Sequence, residues 1–167
     1  MPALQLQRDA DGVVVLRIDR PQVRNALDTA TIGELVAALT GLAADDAVRV
    51  VVLSTTSTDA FCAGADVGET LDAAGGIARM EAFARLYAAL DAFPAPTIAV
   101  CVGNCVGAGA EIVAGCDLRV GADNLKLAWA GARLGVPVGP ARLVPQADRR
   151  GLLHADDATG VDQLLGA

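Results

Sequence analysis

Residues 101–120 read CVGNCVGAGAEIVAGCDLRV, and their pattern decides the fold. The stretch opens at the end of an apolar run, Thr97-Ile-Ala-Val-Cys-Val102, which predicts a buried strand. Gly103 and Asn104 break that run, and Val106-Gly-Ala-Gly-Ala110 delivers small residues to the start of a helix carrying Glu111, Ile112 and Val113. Gly115 and Cys116 end the helix, and Asp117-Leu-Arg-Val120 begins another strand. A helix entered in this way presents backbone N–H groups that lack intrahelical partners, at its positive end. Small side chains let a ligand oxygen come close to them, and Glu111 falls one turn further in. Donors for a developing oxyanion beside a carboxylate are the minimum set for enolate chemistry. The same pattern also suits a close-packed strand–helix crossing with a solvated glutamate, and both readings stand on this stretch alone.

Working outward, Val48 to Leu53 is a near-continuous apolar run, the mark of a strand covered on both faces. A polar loop, Ser54 to Asp59, leads into Ala60-Phe-Cys-Ala-Gly-Ala-Asp-Val67. Asp66 and Glu69 have capping-box spacing, which predicts a helix start there, interrupted by Gly75 and Gly76. Ile77, Met80, Phe83, Ala84, Tyr87 and Leu90 mark the apolar face of a helix that Pro94 and Pro96 close. Nearer the N-terminus, Leu4 to Arg8 and Val13 to Asp19 are β-prone, with Asp9-Ala-Asp-Gly12 as the hairpin turn between them. Arg20 to Asp28, RPQVRNALD, is a polar turn. Asp28 or Thr29 caps a helix with Ile32, Leu35, Val36, Leu39 and Leu42 at helical spacing. Strands alternating with helices predict an α/β chain with a parallel sheet joined by right-handed crossovers.

The 167 residues suffice for one domain with a real core, built from Ala, Val and Leu because only 3% are aromatic. A net charge of −7 argues against nucleic acid and against a basic membrane-binding surface, while leaving room for an anionic ligand held by local arginines and helix ends. No apolar run is long enough to span a bilayer, and MPALQLQRDADG lacks the character of a signal peptide, so the expected compartment is the cytoplasm. Cys62, Cys101, Cys105 and Cys116 show no CxxC and no histidine pairing, which predicts reduced packing residues and no metal site.

Three motifs, RPQVRNALD, FCAGADV and GNCVGAGAEIVAGCDLRV, stand in order with LKLAWAGARLGVP after them. Together they resemble the crotonase superfamily, the enoyl-CoA hydratase/isomerase family, from about Leu4 to about Leu143. The resemblance implies an α/β crotonase-like fold of repeated, stacked ββα units and an acyl-CoA thioester substrate. Coenzyme A is then part of the substrate, and no separate cofactor or metal is expected. It further implies a thioester oxygen held by two backbone N–H groups, which by position belong to Ala65 and Ala108. Glu111 matches the first of the two glutamates that family hydratases use, so it is the expected acid/base. Arg24 lies where the family's first loop meets the nucleotide end of CoA, an apt place for a guanidinium. Val23, Ala26 and Ala63 are expected to line the substrate by position in the same motifs. Asp66, Val67, Gly107 and Gly131 are expected to do so as well.

Two departures accompany the resemblance. The family's second glutamate precedes an LG pair, here Leu134-Gly135, and its place is taken by Gly131. Hydration by two carboxylates is thereby in question, whereas thioester binding and enolate stabilisation are not. The expected organisation is a core domain over 1–143 followed by a short segment, 144–167, resembling a remnant of the helical region that builds a homotrimer or a hexamer. A non-catalytic acyl-CoA-binding homologue is the alternative, and a thiol hydrolase using Cys105 at the helix start is a third reading.

Overall fold

The computed structural model describes residues 2–129 and 152–154. Strands β1 (Leu4–Arg8) and β2 (Val13–Ile18) form the expected antiparallel hairpin. Asp9 closes its turn, the carboxylate accepting from the N–H groups of Asp11 at 2.9 Å and Val13 at 2.8 Å. From β2 onward every pairing between strands among the described residues is parallel. The large sheet runs β1-β2-β3-β5-β7-β9, with β3 at Val50–Thr55, β5 at Thr97–Cys101, β7 at Leu118–Gly121 and β9 at Leu152–His154.

Alternate residues of these strands feed two apolar layers on opposite faces. Val14, Leu16, Val51, Leu53 and Ala99 join the main core beneath the helices, while Val15, Val52, Val100 and Val120 form a second cluster. A strand buried on both faces needs an unbroken apolar run, which is why 48–53 reads as it does. Each such side chain removed from water contributes about 1.5–3 kcal/mol.

A second, smaller sheet was not predicted by the residue pattern: β4 (Ala60–Cys62), β6 (Asn104–Val106) and β8 (Lys126–Ala128), all parallel. Its strands are three residues long, too short to carry a period of their own. The chain therefore repeats one unit: a strand in the large sheet, a short strand in the small one, then a helix. β3-β4-α2 and β5-β6-α3 are two such ββα turns, as the resemblance implied.

Helix α1 (Thr29–Ala43) is capped by Asp28, whose carboxylate accepts from Thr31 N–H at 2.8 Å. Ile32, Leu35, Leu39 and Leu42 are buried as expected, and Val36 is half-buried. The helix expected at Asp66 does not form. Helix α2 spans Ala73–Asp91 with Asp72 as its cap, and it runs through Gly75 and Gly76 without interruption. Those glycines occupy its first turn, where Asp72 accepts from Gly75 N–H at 2.7 Å and compensates their poor propensity. Its buried face is Ala82, Phe83, Leu86 and Leu90, so Ile77, 63% exposed, Met80, 52% exposed, and the exposed Ala84, all expected on the apolar face, lie off it. Among the described residues no helix is long and apolar enough to cross a membrane.

Candidate functional site

The RPQVRNALD segment is a loop held by polar groups. Pro21–Val23 makes one 3-10 turn, after which Arg24 and Asn25 adopt left-handed backbone at φ 53° and 56°. The Asn25 side chain is buried and satisfied. Its Oδ1 accepts from Arg20 N–H at 2.8 Å, and its Nδ2 donates to the Ala60 carbonyl at 2.8 Å and to the Thr55 hydroxyl. Those bonds fix the loop to the end of β3 and the start of β4, as a buried amide requires.

The loop then runs alongside the AGAD turn. Ala63 N–H donates to the Arg24 carbonyl at 3.1 Å, Leu27 N–H to Gly64 at 2.8 Å, and Asp66 N–H to Leu27 at 2.9 Å. Leu27 and Ala65 are thus partners in a parallel bridge. Leu27 bonds the groups on either side of Ala65, so the N–H of Ala65 itself faces away from Leu27. On that far side lies the start of α3. Gly64 has φ +98°, and a Cβ placed on it would stand 3.0 Å from the Val106 carbonyl oxygen and 3.6 Å from the Ala108 nitrogen.

Helix α3 (Ala108–Gly115) begins at Gly107, with φ 54° and ψ −117° and no side chain to cap the helix. Ala108 is its first residue, so its N–H lacks an intrahelical acceptor. Among the described residues neither the Ala65 nor the Ala108 N–H is taken up by another group. Glu111, half-buried, lies in the first turn of α3, on the same face as Ala108 by helical spacing, while Ile112 and Val113 enter the core.

The remaining expected site residues differ in setting. Arg24 is exposed, Val23 and Ala63 are half-buried, Ala26 is buried and Val67 is 89% exposed. Asp66 is engaged within the protein, accepting from Gly68 N–H at 2.9 Å and pairing with Arg20 at 3.3 Å. Gly131 lies outside the described residues, as do 144–167 apart from the backbone of β9.

Three charged residues around the site have roles that the sequence analysis did not assign. Arg20 joins Asp28 at 2.6 Å, Asp66 and the Ala26 carbonyl. Glu69 accepts from Thr29 N–H at 3.0 Å and from the Thr29 hydroxyl at 3.0 Å, so it caps α1 and not a helix of its own. That helix has no acidic residue in its first turn, and Glu69 supplies the missing negative charge from outside. Arg79 donates to the Asp66 carbonyl at 3.1 Å and reaches Glu69 at 3.5 Å. The Asp66–Glu69 spacing was the available signal, and it named the wrong helix.

Burial pushes the Cys62 and Cys116 thiols up to about 12. The neighbouring Cys101 side chain, with burial, pushes Cys105 up as well. A buried thiol held protonated is a poor nucleophile, which argues against the hydrolase reading. No cluster of His, Cys, Asp or Glu among the described residues is arranged to hold a metal ion. A small interior gap lined by Ile18, Leu53, Phe61, Leu86 and Ile112 shares no residue with the paired turns.

Comparison with known proteins supplies the context for this geometry. The family model described as enoyl-CoA hydratase/isomerase matches residues 8–147. The mouse mitochondrial enoyl-CoA hydratase domain-containing protein 2 is 34% identical over 131 residues, 74% of this chain and 43% of that protein. A probable enoyl-CoA hydratase of Mycobacterium tuberculosis is 34% identical over 80% of this chain and 51% of its own length. The chain thus spans about half the length of the curated relatives it matches. Among solved structures, an enoyl-CoA hydratase from Mycobacterium smegmatis superposes with TM-score 0.77 at 37% identity, over 81% of this chain and 54% of that one. An enoyl-CoA hydratase/carnithine racemase from Magnetospirillum magneticum gives TM-score 0.79 at 30% identity, over 99% and 61%. By the match over residues 8–147 and by its crotonase fold, the chain belongs to the enoyl-CoA hydratase/isomerase family.

Proposed function

We propose that the protein acts on an acyl-CoA thioester through an enolate held by the Ala65 and Ala108 N–H groups, with Glu111 moving the proton. The observation that supports this is the closeness of the two turns: a Cβ placed on Gly64 would stand 3.6 Å from the Ala108 nitrogen, and Glu111 lies in the first turn of the helix that Ala108 begins. As a proton leaves or joins the acyl carbon, negative charge builds on the thioester oxygen. Two fixed backbone donors suit that charge without adding a titratable group. Loss of one such donor typically costs about 10²–10³ in rate. Coenzyme A arrives with the substrate, and in this reading Arg24, which is exposed, meets its phosphates or adenine. Assembly into a homotrimer or hexamer completes the proposal.

One observation favours a second reading, a non-catalytic acyl-CoA binder. By the resemblance of the Ala130–Gly135 stretch to the family's motif, Gly131 takes the place of the second glutamate that family hydratases use. One carboxylate still suffices to shuttle a proton between carbons, so isomerisation is the chemistry least affected by this substitution.

Calorimetry with a short acyl-CoA and its free carboxylate tests the thioester reading, beside turnover of a panel of enoyl-CoAs. Binding of the thioester alone, with turnover of some enoyl-CoA, is expected. Thioester binding without turnover establishes the binder. Equal or absent binding of both ligands overturns both readings.

A further inference from the structure

Arg20 follows β2 and precedes the 3-10 turn, its side chain 15% exposed. Its guanidinium donates to the Ala26 carbonyl and pairs with Asp28 at 2.6 Å and with Asp66 at 3.3 Å. These three acceptors have a particular placement. Ala26 and Asp28 flank Leu27, Asp66 follows Ala65, and Leu27 and Ala65 are the two partners of the isolated bridge. One guanidinium therefore holds both sides of the bridge that directs the Ala65 N–H. Its acceptors are themselves anchored. Asp28 also accepts from Thr31 N–H at 2.8 Å, and Asp66 from Gly68 N–H at 2.9 Å. A planar fork can serve three acceptors at once, and a lysine ammonium cannot reproduce that spread.

We propose that Arg20 is a positioning residue for the oxyanion-stabilising pair, setting the aim of the Ala65 N–H by clasping Ala26 and Asp28 to Asp66. The inference rests on the acyl-CoA reading above. An oxyanion donor must lie within hydrogen-bond reach of the oxygen, and about half an ångström of misplacement is enough to weaken it. The bridge is isolated and has no longer ladder to keep it in register. Asn25 fixes the loop to β3 and β4 through hydrogen bonds to Thr55 and Ala60. Arg20 couples the two segments on either side of Ala65 itself, while the Glu69–Thr29 contact joins them further along.

The test uses the full chain and a conjugated enoyl-CoA, whose absorbance moves to longer wavelength when its carbonyl is polarised. The wild type should show that shift on binding. In Arg20→Lys the shift should fall to less than about half. Affinity for a saturated acyl-CoA should stay within roughly threefold, and turnover should drop about 10- to 100-fold at similar KM. Asp66→Asn should act in the same direction, and the double variant should be no worse than Arg20→Lys, because both cut one clasp. A loss of folded protein lowers the amplitude of the signal but leaves its wavelength in place, which separates positioning from structure. If Arg20→Lys fails to fold, Asp66→Asn carries the same comparison. An unchanged wavelength in the folded variants overturns the role of Arg20 alone. A wild type that neither binds nor polarises the thioester overturns the acyl-CoA reading, and this inference with it.

Discussion

Gly109 of α3 lies against Cys62 of β4 so closely that a Cβ on Gly109 would stand 2.4 Å from the Cys62 carbonyl oxygen and 2.8 Å from its Cβ. No real side chain tolerates that distance, so any larger residue must push α3 off the small sheet. Gly109→Ala should destabilise the protein by about 1–3 kcal/mol, the range for overpacking a tight site. Gly33→Ala is the control. Gly33 is exposed on α1 with nothing within 4 Å of a Cβ, so alanine there should stabilise by about 0.5–1 kcal/mol. Urea midpoints read both. A Gly109→Ala protein as stable as wild type would mean the helix packs further out than described.

Glu111→Gln keeps the shape of the side chain and removes its capacity to accept a proton. Turnover of the preferred enoyl-CoA should fall by at least about 10²-fold, with acyl-CoA affinity nearly unchanged. The split matters, because the proposed function assigns binding to the backbone donors and proton transfer to this carboxylate. Normal turnover in the variant would assign the chemistry to another group and leave Glu111 a helix residue.

Asp28 links stability to pH. Burial alone would raise its carboxyl, but the hydrogen bonds from the Thr31 hydroxyl and N–H, with the charge of Arg20, outweigh burial and hold it below its ordinary value. A depressed folded-state value means the stabilisation is complete above the unfolded value, about 3.9, and is lost as pH falls through the folded one. Asp28→Asn retains a capping oxygen and loses the charge. The variant should be less stable at neutral pH by on the order of 1 kcal/mol, with the gap closing below about pH 4. Denaturation series across that range check the sign. A gap that stays constant as the solution is acidified would mean that the cap, not the ion pair, carries the effect.

Periodicity reveals β2, β3, β5 and α1 because each buries enough apolar side chains to imprint a pattern, whereas the mostly exposed β1 reads with its hairpin turn and the three-residue β9 was not foreseen. Val48 to Leu53 reads as a two-faced strand because layers of core cover both faces. The small sheet leaves no such imprint: Ala60–Cys62 and Asn104–Val106 are short, and their pairing is determined by where β3 and β5 end. Asp66 and Glu69 illustrate the other failure. Their spacing satisfies a local rule, yet Glu69 serves Thr29, and Asp66 serves Arg20, through contacts that exist only after folding. The paired turns at Ala65 and Ala108 are backbone features, so no side chain announces them. Only the glycines beside them, and the resemblance of the motifs that contain them, point to the place.

The four cysteines give the last prediction. All are buried, free and clustered around the junction of β4, β5, β6 and α3. With Cys62 and Cys116 pushed up to about 12 by burial, almost none of either thiol is ionised near pH 8. Thiolate, not thiol, attacks an alkylating agent, and burial blocks access as well, so two independent factors slow the reaction. The native protein at pH 8 should therefore react with iodoacetamide only as fast as it unfolds, while all four thiols react promptly in denaturant. Bound acyl-CoA should slow the native reaction further, because a ligand that binds only the folded state lowers the population of the open one. Mass spectrometry of time points gives the count of modified cysteines. Rapid native labelling at Cys105, with the others protected, would contradict its raised thiol and would reinstate a nucleophile at the entrance to α3.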